Sequence, residues 1–123
     1  MKVLLIDDST EVVESVSLCF ELRWPEVDFI SADEGARGIE LVKTESPDVV
    51  VLDLGLPDMD GLDVLEQIRL FSNVPTVILS VRGGEVDMAR GMDLGANDYI
   101  IKPFNPTDLL TRVKEVLHRA NVA

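Results

Sequence analysis

Two runs in this chain, Val3-Leu4-Leu5-Ile6 and Val49-Val50-Val51-Leu52, are apolar without a break. A strand with one face in water alternates polar and apolar side chains, so an unbroken run fits a strand covered on both faces, as in a parallel sheet between helical layers. Such a sheet needs a crossover between strands, and the stretches between the runs supply helices for it. After Ser9, the positions Val12, Val13, Val16, Cys19, Phe20 and Leu22 recur at helical spacing up to Trp24-Pro25, which predicts a helix over roughly 10–23. Phe29-Ile30-Ser31-Ala32 reads as a short strand, and Ile39, Leu41 and Val42 mark a helix that follows Asp33-Glu34 and ends before Pro47.

The segment Gly55-Leu56-Pro57-Asp58-Met59-Asp60-Gly61 is too rich in turn residues for either element, and a helix from Gly61 to Phe71 follows, presenting Leu62, Val64, Leu65, Ile68 and Phe71. Thr76-Val77-Ile78-Leu79 and Tyr99-Ile100-Ile101 are two further strands, separated by a short helix over Glu85–Leu94 that Gly91 interrupts. In the last helix Asn105 caps the start, Pro106 suits the first turn, Asp108 completes the capping geometry, and Leu109, Leu110, Val113, Val116 and Leu117 form the apolar face. Five strand and helix pairs therefore alternate, which predicts an α/β fold: an open, doubly wound, five-stranded parallel sheet with helices on both faces and right-handed crossovers. A length of 123 residues fits one such domain.

In a parallel sheet all strand C-termini share one edge, and ligands bind there, where the strand order reverses. Asp7-Asp8, Asp53, Ser80 and Lys102 each follow or end a strand run, so the fold gathers three carboxylates, a hydroxyl and an ammonium. Carboxylates so close repel one another, and their convergence calls for a divalent cation as well as the lysine. Oxygen donors suit Mg2+ or Mn2+, with Asp7, Asp8, Asp53 and the Gly55 backbone carbonyl as the candidate ligands. In phosphoryl transfer Asp53 would be the nucleophile, with Lys102 and Ser80 meeting the charge on the transferred group's oxygens. Each residue has an ordinary alternative reading: Asp7-Asp8 as helix N-terminal charge, Ser80 as a turn hydroxyl, Lys102 as a solvated loop lysine, Tyr99 and Phe104 as aromatics plugging the sheet edge. Their coincidence at one edge favours the functional reading.

Formal charge is −12 and the sequence pI is near 4.3, which sets this domain against direct contact with nucleic acid or an anionic membrane. The lone Cys19 permits neither an intrachain disulfide nor a multi-cysteine metal site, and a reducing compartment is expected. Met1-Lys2 runs at once into a short strand, which reads as neither a signal peptide nor a membrane span, so a cytoplasmic location is expected.

The segments Leu4-Leu5-Ile6-Asp7-Asp8, Asp53 through Gly61, Leu79-Ser80 and Gly95 through Phe104 together resemble the receiver domain of two-component response regulators, over essentially the whole chain, and within it the OmpR/PhoB branch. The resemblance implies a flavodoxin-like sheet of strand order 2-1-3-4-5 and a phosphorylation-activated switch. A sensor histidine kinase, or a small phosphodonor, would phosphorylate Asp53 with Mg2+, and the domain would also catalyse loss of that group. Ser80 would turn inward to the phosphoryl oxygens, Tyr99 would follow from outside to inside, and Lys102-Pro103 would be cis. The output would be DNA binding and transcription through a C-terminal domain beyond Ala123.

Some positions depart from the branch. Val81 stands where Ala is usual, beside the phosphoryl pocket, and its branch would narrow that path. On the face that the branch uses for a phosphorylation-dependent homodimer, Met88 and Asn97 replace a basic residue and an aspartate. Asp98 and Arg112 retain one intersubunit pair, while Asp108 and Arg119 lose their partners, so an atypical dimer is expected. Two other functions fit the residues less well: a phosphorylation-independent pseudo-receiver, disfavoured by the complete site, and a phosphohydrolase, disfavoured because no strand run ends in histidine.

Overall fold

The computed structural model describes residues 1–122. Chain order is β1 (Lys2–Ile6), α1 (Thr10–Arg23), β2 (Asp28–Ala32), α2 (Gly35–Glu45), β3 (Val49–Leu52), α3 (Gly61–Arg69), β4 (Thr76–Ser80), α4 (Glu85–Asp93), β5 (Asp98–Ile101) and α5 (Pro106–Val122). All strand pairs are parallel in the order β2-β1-β3-β4-β5, the doubly wound arrangement expected. The Lys102-Pro103 peptide is cis.

Each central strand feeds two cores. Leu4, Ile6, Val50, Leu52, Ile78 and Tyr99 pack with Leu41, Leu62, Leu65 and Ile68 on one side of the sheet. Val3, Leu5, Val49, Val51, Val77, Leu79 and Ile100 pack with Val16, Phe20, Leu109, Val113 and Val116 on the other. This double coverage is why the strand runs carry no polar interruption. At roughly 1.5–3 kcal/mol for each fully buried large aliphatic side chain, the two layers are the fold's main stabilising term, offset largely by chain entropy.

Helix ends differ from the sequence reading in instructive ways. The carboxylate of Asp108 accepts from Arg112 Nε at 3.1 Å, so the first turn of α5 is capped by Asn105 alone, whose Oδ1 accepts from Asp108 N at 3.1 Å. Helix α3 stops at Arg69, and Phe71 is 43% exposed with the Lys43 ammonium 4.9 Å from its ring centre, instead of sitting on the buried face. Leu22, although in phase with the α1 apolar positions, is 75% exposed. Gly91 does not break α4: a Cβ there would stand 2.7 Å from Ile78 Cδ1, so glycine lets the helix lie close on β4. The helix runs to Asp93 with Leu94 as its C-cap, and Gly95 just beyond has a φ of 101° that suits glycine.

Candidate functional site

Parallel register places the acidic residues together. Ile6 pairs with Leu52, and the ladder continues one step past each strand, with Asp53 N donating to Ile6 O at 2.9 Å and Asp7 N to Ala32 O at 3.0 Å. Asp7 and Asp53 thus emerge side by side from the strands at which the order reverses, and Asp8 follows at the rim. Carboxylate oxygens of Asp7, Asp8 and Asp53 lie within 4.8 Å of one another, with Asp7 and Asp53 buried and Asp8 exposed. On the other side, Lys102 N donates to Ser80 O at 2.9 Å, which puts Lys102 and Ser80 at the same edge.

Lys102 Nζ donates to Asp7 Oδ2 at 2.7 Å and stands 3.7 Å from Asp53 Oδ2. Burial pushes the Asp7 carboxyl above the usual aspartate range, against the opposing pull of its hydrogen bonds from Lys102 and from Ser9 N. Three carboxylates face one ammonium, leaving a site with excess negative charge and only hard oxygen donors, which fits Mg2+ or Mn2+ and not a soft or imidazole-seeking metal. The site is of the Mg2+-coordinating kind. The Ser80 hydroxyl is wholly buried and its oxygen accepts from Arg82 N at 3.2 Å.

The β3–α3 loop that carries Gly55 is fastened at three places. Gly55 and Asp60 form an isolated bridge, and Asp60 Oδ1 caps α3 by accepting from Leu62 N at 2.9 Å. Asp58 caps a different helix: its two oxygens accept from Gly35 N at 2.7 Å and Ala36 N at 3.0 Å, supplying the N-terminal cap of α2 that Glu34 does not provide. Those bonds, Ala36 first and then Gly35, hold the Asp58 carboxyl below the usual range. The sequence marked Asp58 and Asp60 only as turn residues.

Arg82 was not singled out by the sequence, and no spacing would have marked it. Its guanidinium bridges Asp60, at 3.1 Å, and Asp87, through Nη2 at 2.9 Å and Nε at 3.1 Å. Its carbonyl accepts the Tyr99 hydroxyl. Tyr99 is 6% exposed and packs in the core on the α2 and α3 side of the sheet, so in this chain the ring already lies inside, where the resemblance placed it only after phosphorylation.

The remaining expected residues fall elsewhere. Val81 is 73% exposed and lines a surface groove with Val12, Cys19, Pro103 and Phe104, beside Lys102, instead of crowding the buried pocket. On the α4, β5 and α5 face, Arg112 pairs within the chain with both Asp98 and Asp108, at 3.0 and 3.1 Å, so neither acid awaits a second copy to be neutralised. Asn97 Oδ1 accepts from Thr76 N at 2.8 Å, a role in holding β4 to β5. Met88 is half-buried against the core, and among the described residues exposed Arg119 donates to the Glu115 carbonyl, at 3.4 Å.

A parallel sheet of this order with an acidic triad and a lysine at its switch point defines a class, and comparison with known proteins agrees. Residues 3–114 match the response regulator receiver domain. The chain is 37% identical over 123 residues to the alkaline phosphatase synthesis transcriptional regulatory protein PhoP of Bacillus subtilis, covering 99% of this chain and 50% of PhoP. It is 38% identical over 119 residues to the transcriptional regulatory protein CpxR homolog of Haemophilus influenzae, covering 97% and 51%. Among solved structures, the CheX-CheY-BeF3-Mg+2 complex of Borrelia burgdorferi matches with a TM-score of 0.88 at 28% identity, over 94% of this chain and 88% of that one. The chain belongs to the response regulator receiver family and is closely related to its OmpR/PhoB members. It spans about half the length of the curated relatives it matches.

Proposed function

We propose that this domain accepts a phosphoryl group on Asp53 from a sensor histidine kinase and passes the event to an output. The observation that carries this reading is the convergence of Asp7, Asp8 and Asp53 with Lys102 at the sheet's switch point. Asp7, Asp8, Asp53 and the Gly55 carbonyl would hold Mg2+, which when bound supplies charge neutralisation for the phosphoryl oxygens. An Asp53 oxygen forms the new O–P bond as the donor's P–N or P–O bond breaks, and the leaving group departs with that electron pair and takes a proton from solvent. Lys102 offers its ammonium to the transferred group, and Ser80 its hydroxyl. The same residues, with water as nucleophile, return the carboxylate.

The groove of Val12, Cys19, Val81, Pro103 and Phe104 beside Lys102 is a fitting apolar seat for the kinase. The relatives are twice as long and are named transcriptional regulators, which supports an effector domain as the output, joined in the longer protein to this one. Phosphorylation would promote a homodimer through α4, β5 and α5, atypical because Arg112, Asp98 and Asp108 are already paired within one chain. A net charge of −12 leaves DNA contact to that other domain, and none of the described helices is long and apolar enough to cross a membrane, which accords with a cytoplasmic setting. Incubation with a small phosphodonor and Mg2+, followed by intact mass, tests the reading. One added phosphoryl group, absent from Asp53→Asn, is expected, and undiminished labelling of that variant would overturn it.

A further inference from the structure

Five hydrogen bonds meet at Arg82. Its N–H reaches the Ser80 oxygen, its carbonyl takes the Tyr99 hydroxyl, and its guanidinium spans Asp60 at the end of the Asp53 loop and Asp87 in the first turn of α4. Both Asp87 oxygens are engaged by a parallel fork, the geometry that fixes direction as well as charge.

The chain between Arg82 and α4 is Gly83-Gly84: a Cβ at Gly83 would stand 2.6 Å from Ile101 Cδ1, so Gly83 lies close on β5, while a Cβ at Gly84 would meet nothing within 4 Å. Gly84, open and without a side chain, is a soft link in the backbone path to α4. The side-chain fork spans that link and replaces it with a stiff one. Tyr99, packed beside Gly91 of α4, is fastened to the same residue through its hydroxyl.

We propose that Arg82 is the positioning residue that couples the phosphoacceptor edge to α4 and holds Tyr99 inside, a proposal that rests on the assignment of Asp53 and Ser80 above. When the Ser80 hydroxyl turns toward a phosphoryl oxygen, its bond from Arg82 N must shift. The guanidinium carries that shift to Asp87, and the carbonyl carries it to Tyr99. Without the side chain, Ser80 would still turn, but α4 would hang on Gly84.

Tyr99 is the sole tyrosine, so 3-fluorotyrosine incorporation places one reporter at this position. In Arg82→Ala amide exchange over residues 84–93 should quicken, and the fluorine resonance should shift, because the main-chain carbonyl that accepts from Tyr99 stays but loses the anchoring of the Arg82 side chain to Asp60 and Asp87. Arg82→Lys, with one ammonium and no fork, should restore only part of both, and Asp87→Asn should reproduce the change in α4. Mg2+ affinity should stay within about twofold, because the Arg82 side chain bonds none of the three clustered carboxylates. After phosphodonor and Mg2+, the parent should show altered exchange in α4, while Arg82→Ala carries the phosphoryl group without that response. An unchanged fluorine resonance and unchanged α4 exchange in Arg82→Ala would overturn the proposal, as would a phosphorylated variant that responds like the parent. Failure of the parent to take up phosphate would instead sink the Asp53 assignment, and the fluorine measurement would still decide the role of Arg82.

Discussion

Replacing Gly61 with Ala tests how tightly the Asp53 loop is built. A Cβ at this first position of α3 would lie 2.4 Å from the Asp53 carbonyl oxygen and 2.5 Å from Leu54 Cα. Both are backbone atoms, so no side-chain rotation relieves the overlap, and β3 and α3 must part by about an ångström. Overpacking of this kind costs about 3 kcal/mol, offset by roughly 1 kcal/mol because alanine is the better helix former. The net loss of about 2 kcal/mol corresponds to a fall of roughly 8 °C in Tm for a chain of this size. Gly55→Ala is the internal control from the same loop: nothing lies within 4 Å of its Cβ and its φ is not positive, so it should be neutral or slightly stabilising. Thermal and urea unfolding of both variants, followed by circular dichroism, gives the comparison. Equal stability of Gly61→Ala and the parent, or equal losses in both variants, would refute the packing argument.

Removal of Asp8 should weaken Mg2+ binding at least about tenfold by calorimetry, and should leave the metal-free protein no less stable, since one carboxylate leaves a repulsive cluster; equal affinity would reject its role. Asp58 stabilises the fold through a depressed carboxyl pKa, so its contribution is complete above the ordinary aspartate value of 3.8 and fades as pH falls through its lower folded value. The stability gap between the parent and Asp58→Ala should therefore shrink on acidification below that pH, and a gap that widens there would contradict the cap. Arg112→Glu sets a third acid beside Asp98 and Asp108 and should lower self-association of the phosphorylated protein, read by sedimentation at several concentrations. No change would remove α4, β5 and α5 as the dimer face.

The sheet was legible because Val3–Ile6 and Val49–Leu52 are buried on both faces, and no other element type suits runs so short and so apolar. The acidic site was legible for the same reason: each residue stands next to a strand end, and parallel register alone brings Asp7, Asp53, Ser80 and Lys102 to one edge. What escaped was set by side chains reaching between loops. Asp58 caps a helix 22 residues earlier in the chain, and Arg82 bridges acids 22 and 5 residues away, contacts to which periodicity is blind. Leu22 and Phe71 misled because apolar phase on a helix does not say whether a neighbour covers it. Asp108 misled because a capping-box acid and an i, i+4 ion-pair acid look alike in sequence, and here Arg112 took the carboxylate.

In the proposed reaction an Asp53 carboxylate oxygen is the nucleophile that forms the new bond to phosphorus. An acyl phosphate is reduced by borohydride to an alcohol, which converts a phosphorylated aspartate to homoserine and records its position permanently. Treating the phosphodonor-reacted protein in this way and mapping its peptides should find homoserine at position 53 and nowhere else, only when Mg2+ was present. Homoserine at position 7 or 8, a stable phosphate ester on Ser80, or labelling that persists without the metal would contradict the account.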